Sequence, residues 1–135
     1  ATYRATGARV AAALHAAVDA VPADNPRGRL LAFVTASFRA PIADPELLAT
    51  WLAFWSLSRT VPAIGAIHDE IYADNRQDME RLIRACPNAP ADARLAAVAL
   101  TALVDGLWLE LSLGNAPFSV DEAEALAEKW LDSFI

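Results

Sequence analysis

Cysteine is nearly absent. Cys86 is the only one in 135 residues, which excludes an internal disulfide and a thiolate metal cage and leads us to expect a reducing, cytoplasmic setting. Basic residues are also few. Ten arginines and the single Lys129 are scattered along a chain of net charge −6 and pI near 4.7, and only Arg27 and Arg29 approach a cluster. Holding a duplex takes a concentrated basic patch, so these residues are not expected to bind DNA directly. The five glycines, and the excess of alanine and leucine over β-branched residues, leave little to build strands with. Long uncharged runs are missing too. The longest, Leu47 to Ser58, falls short of the ~20 residues of a membrane span, and the apolar stretch from Leu95 is broken by Asp105. With no visible signal peptide, no membrane association is expected.

What remains is helical. Apolar residues make up 56% of the chain, enough for the core of one all-α domain, and punctuation cuts it into six segments. The first covers about Thr2 to Val21. Asn25-Pro26 caps a second that runs to about Phe38, and Asp44-Pro45 opens a third that ends near Arg59. A fourth runs from Thr60 and Pro62 to Cys86, where Pro87 stops it. The fifth spans about Pro90 to Leu113 with Gly114 as its C-terminal cap. Ser119 to Glu122 is a capping box for the last.

The fifth segment has three faces at 100° per residue. Ala97, Leu100, Val104, Leu107 and Leu111 form an aliphatic core face. Leu95, Ala99, Ala102 and Gly106 form a second, whose small side chains suit a close helix crossing. Thr101, Asp105 and Trp108 share a third, which suits a pocket wall or an internally bonded carboxylate. Glu110 lies on the far side, at a rim or subunit boundary.

Other residues suit either a core or a pocket. Trp51 and Trp55 stand at i and i+4 on the third segment. His68, Tyr72 and Asn75 fall within or beside the apolar stripe of the fourth, where polar groups need partners or a ligand. His15 sits on an alanine face and is expected at the surface. Catalytic signatures are missing: there is no paired Glu-x-x-His, zinc helix, phosphate-binding glycine loop or nucleophile elbow. Neither an enzyme nor a bound cofactor or metal is expected.

Taken together, "WLAFWSLSR" from Trp51, "HDEIYADNRQDMERLIR" from His68 and "LVDGLWLELSLG" from Leu103 resemble the C-terminal regulatory domain of TetR-type transcriptional repressors, most closely the BetI-like branch of the choline-to-betaine pathway. The resemblance covers nearly the whole chain, and the six segments match the family's helices four to nine. It implies a six-helix domain that binds a small-molecule effector and forms a homodimer. Operator DNA would be read by an N-terminal helix-turn-helix unit that is not in this sequence. The candidates for contacting the effector, read from the helix faces above, are Trp51, Trp55, His68, Tyr72, Asn75, Thr101, Asp105 and Trp108. An organic cation such as choline would suit an aromatic and carboxylate cage, but a hydrophobic or acidic metabolite would suit the aromatic core equally. In the family the last two helices form the dimer. That implies Ala99, Ala102, Gly106 and Glu110 at the interface, with a stripe of Val120, Ala123, Ala127, Trp130, Leu131 and Phe134. A helical self-association module without a pocket is the alternative.

Overall fold

A computed structural model describes residues 2–133 and 135, a set that leaves the expected interface residue Phe134 outside the described residues. Six α-helices occur in the expected order, α1 Thr2–Asp19, α2 Pro26–Thr35, α3 Pro45–Ser58, α4 Pro62–Arg84, α5 Ala93–Leu113 and α6 Val120–Asp132, and no strand is present among the described residues.

Local chemistry sets most of the ends. Asn25 Oδ1 accepts from the Gly28 amide at 3.0 Å, and Asp44 Oδ2 accepts from the Leu47 amide at 3.2 Å; in each case a proline holds the first turn. The Ser119–Glu122 capping box is closed in both directions. Gly114 ends α5 at φ 93°, in the left-handed region that other residues rarely enter.

Four ends differ from expectation, among them α4, which stops at Arg84 before Cys86. α1 stops at Asp19 before Val21. α2 ends at Thr35 and tightens into a 3₁₀ turn, Ala36–Phe38, which buries Phe38. α5 begins at Ala93 because the Asp92 carboxylate, not the Pro90 region, caps it through the Leu95 amide at 3.0 Å.

Long helices α4 and α5 pack along each other, α3 lies across both, and α1 and α2 cover α4. The core face of α5 meets these neighbours: Ala97 and Leu100 are buried, as are Met79 and Ile83 of α4. Ile64, Ile67 and Ile71, further toward the start of α4, are only half-buried. α6 docks inward. Arg39 reaches Glu124 at 2.8 Å and Asp121 at 3.1 Å, and Arg27 pairs with Asp132.

By length and composition alone α5 could cross a membrane, although the interruption at Asp105 argued against a span in the sequence. Its inner side is core here. Its outer side, with Leu95, Val98, Ala99, Ala102, Gly106 and Leu113, is exposed.

Candidate functional site

A cavity of about 450 Å³ opens where α1, α3, α4 and α5 converge. Helical spacing puts Thr101, Asp105 and Trp108 on one side of α5, and all three line the cavity. Trp51 of α3 faces them, with Tyr72 and Asn75 of α4 completing the wall.

Hydrogen bonds fix the aromatic rings. The Tyr72 hydroxyl accepts from both Trp51 Nε1 and Trp55 Nε1, each at 2.9 Å. Trp108 Nε1 donates to the Ile42 carbonyl at 3.0 Å. With all three indole N–H groups engaged inside the protein, the rings offer a ligand mainly their π surfaces.

Not every expected residue faces the cavity. Trp55 stands behind the wall, edge-on to Trp108 with centroids 6.4 Å apart. His68 stacks on Tyr72 at 4.6 Å and tilts against Phe54 at 5.6 Å. Neither lines the cavity, so both support the residues that do.

Asp105 is the unusual group. No hydrogen bond or ion pair holds its carboxylate among the described residues. Burial raises its pKa from 3.8 to about 6, while the charge of Arg76 and then His68 pull it back. Burial also pushes the Tyr72 phenol well above its ordinary value, helped by the negative Asp105, so the ring stays neutral. Thr101 Oγ1 is buried beside the cavity with no partner.

Sequence reasoning missed the floor and the outer wall. Phe33 of α2 and Ile42, in the loop before α3, contribute to the floor, and Gly7, Ala8 and Ala11 of α1 face α4 across the opening. Only the alanine-rich character of α1 hinted at a close helix neighbour.

The expected interface residues divide. Ala99, Ala102, Gly106 and Glu110 are exposed, and a Cβ added at Gly106 would meet nothing within 4 Å. No helix crossing among the described residues therefore accounts for that glycine. On α6 the expectation needs correction: Ala123, Ala127 and Leu131 are 0% exposed, because that stripe fills the chain's own core. Val120 and Trp130 are half-buried, and Leu126, which the sequence did not single out, is 47% exposed.

Comparison with known proteins places this arrangement. Residues 26–135 match the family model described as the C-terminal part of BetI-type transcriptional repressors. The HTH-type transcriptional regulator BetI of Burkholderia thailandensis is 37% identical over 115 residues, 84% of this chain and 57% of that protein. Its namesake in Pseudomonas aeruginosa PAO1 is 35% identical over 113 residues, 81% of this chain and 55% of that one. The chain thus spans a little over half the length of these curated relatives. A crystal structure of a transcriptional regulator from P. aeruginosa PAO1 superposes with a TM-score of 0.89 at 41% identity, covering 97% of this chain and 64% of that one. Fold and sequence agree that this chain belongs to the TetR-type, BetI-like transcriptional repressors, as their C-terminal domain, and is not an enzyme.

Proposed function

We propose that this domain is the effector-sensing and dimerising half of a cytoplasmic repressor, and that its effector is an organic cation held in the cavity. Asp105 carries the reading. A carboxylate whose pKa burial raises to about 6, with no hydrogen-bond partner beside π surfaces, gains most from a positive ligand. A neutral apolar ligand would leave that charge uncompensated, and an acidic one would add repulsion. The cavity volume falls within the range of small-molecule sites, which supports a sensor over a solid self-association module.

The cavity also borders α1, the helix that in this family leads to the DNA reader. Two recognition helices of a dimeric reader must stand about 34 Å apart, one turn of duplex. A ligand that moves α1 alters that spacing, and a coupling of about 1–3 kcal/mol is typical of such linkage. Titrating tetramethylammonium into the domain should change tryptophan emission saturably, since Trp51 and Trp108 line the cavity. A flat titration up to tens of millimolar would contradict a cation site.

The second half of the reading is a homodimer formed on the outer side of α5. Leu95 is 52%, Val98 42% and Leu113 60% exposed, an apolar face that is costly to leave in water. Gly106 lies within it, and a mid-helix glycine costs about 1 kcal/mol relative to alanine. Close approach by a second copy would explain that sacrifice. Gly106→Leu should therefore weaken dimerisation at least tenfold in sedimentation equilibrium. The fold of each protomer should survive, since Gly106 is exposed and a Cβ added there meets no described residue within 4 Å. An unchanged dimer would place the interface elsewhere.

A further inference from the structure

The residues around the cavity differ in exposure, and the difference has a direction. Those contributed by α2, α3 and α5 are buried or half-buried. Every exposed one lies on α1 or α4: Arg4, Ala8 and His15 on the first, Glu70, Asp74, Gln77 and Arg81 on the second. The mouth is therefore the seam between these two helices.

Along that seam α4 carries Glu70, Asp74 and Asp78 at successive i, i+4 positions, which puts three carboxylates in a row one turn apart. The outer two are engaged. Arg4 Nη1 donates to both Glu70 oxygens at 2.8 Å, and Asp78 takes His15 at 2.9 Å as well as Arg81. Both contacts with α1 tie it to α4, one at each end of the opening. Asp74, between them, is exposed and has no hydrogen bond or ion pair among the described residues.

Across the gap from Asp74 the chain is thin. α1 comes close to α4 at Gly7, where an added Cβ would stand 2.7 Å from Ile71 Cδ1. The next facing residues are Ala8 and Ala11, whose methyl groups are too short to close a slot. Inside lie Asp105 and the unpartnered Thr101 Oγ1, buried groups that a ligand entering by this slot would meet.

We infer that ligands enter the cavity through the α1–α4 seam and that Asp74 is the specificity-determining charge at its mouth, drawing cations in and turning anions away. This rests on the cation-sensing reading above. Low-dielectric walls focus the field of a carboxylate at a narrow opening, so its effect falls on the association rate more than on the dwell time of the bound ligand.

Stopped-flow tryptophan fluorescence separates these rates, with choline as the cation and 3,3-dimethyl-1-butanol as its neutral isostere. Asp74→Asn should lower the choline association rate constant about three- to tenfold at low ionic strength and leave its dissociation rate within twofold. The rate should also depend less on salt than in the wild type. The neutral isostere should enter both proteins equally fast. Asp74 is exposed and unpaired, so the variant is expected to fold, and unchanged entry of the isostere confirms it. An unaltered choline association rate, or an equal slowing of choline and isostere, would overturn the steering role while leaving the cation site intact. Failure of the wild type to bind choline or tetramethylammonium would overturn the site itself and this inference with it.

Discussion

Asp105→Asn should make the domain more stable and worse at its task. Burial holds this carboxyl at a pKa of about 6, against 3.8 in an unconstrained chain. The folded state therefore binds a proton more tightly than the unfolded state does. Below pH 3.8 both states are protonated and the group costs nothing. As pH rises from 3.8 through 6 the unfolded chain ionises first, and folding loses stability until the penalty is complete above about pH 6. Two pKa units correspond to about 3 kcal/mol, less whatever the asparagine amide loses by its own burial. Urea denaturation at pH 8 should show the variant more stable by about 1–3 kcal/mol, and at pH 4 the two proteins should be nearly equal. Cation affinity should move the other way. Removing one member of a buried charge pair typically costs about 2–5 kcal/mol, so binding should weaken at least ~30-fold. A variant that is destabilised at pH 8 would show that Asp105 is satisfied within the fold, and the case for a ligand would go with it.

Tyr72→Phe should have the second large effect, for a different reason. The phenol oxygen accepts two indole N–H groups, one from the buried Trp51 and one from the half-buried Trp55. The substitution keeps the ring and its stacking on His68 but orphans both donors. An unsatisfied buried donor costs about 1–3 kcal/mol, and partial access to water reduces the second term. A loss of about 2–3 kcal/mol is expected, which lowers Tm by about 7–10 °C for a chain of this size. Trp51 would also lose the contact that fixes its ring at the cavity wall, so cation affinity should fall as well. Trp108 is the internal comparison, because its N–H goes to the Ile42 backbone carbonyl and is untouched by the change. An unaltered Tm would mean that both indoles find water instead.

The sequence made some of this legible and concealed the rest for physical reasons. Helix ends at Asn25, Asp44, Ser119 and Gly114 follow from chemistry within four residues and needed no tertiary context. The angular sorting of α5 held too: Ala97 and Leu100 turn inward, Thr101, Asp105 and Trp108 line the cavity, and Ala99 and Gly106 face out. A wheel shows which residues share a face, but not what that face meets. Ala123, Ala127 and Leu131 make an apolar stripe that the sequence assigned to a second copy, but burying it turns α6 inward onto the chain's own core, and the ion pairs of Arg27 and Arg39 only accompany that docking. Trp55 and His68 were drawn into the site by their chemistry, but they contact the cavity-lining Tyr72 and do not line the cavity themselves. The α1–α4 mouth depends on contacts about sixty residues apart, such as Arg4 with Glu70 and His15 with Asp78, and no local pattern encodes them.

The central claim is that a cation in this cavity is met by a carboxylate whose pKa burial has raised to about 6. Calorimetric titration with choline at pH 6, repeated in buffers of different ionisation enthalpy, counts the protons exchanged on binding. With Asp105 about half protonated beforehand and ionised beside the cation, each binding event should release about half a proton, and Asp105→Asn should abolish that release. Choline binding with no proton release, or the same release from Asp105→Asn, would contradict the account.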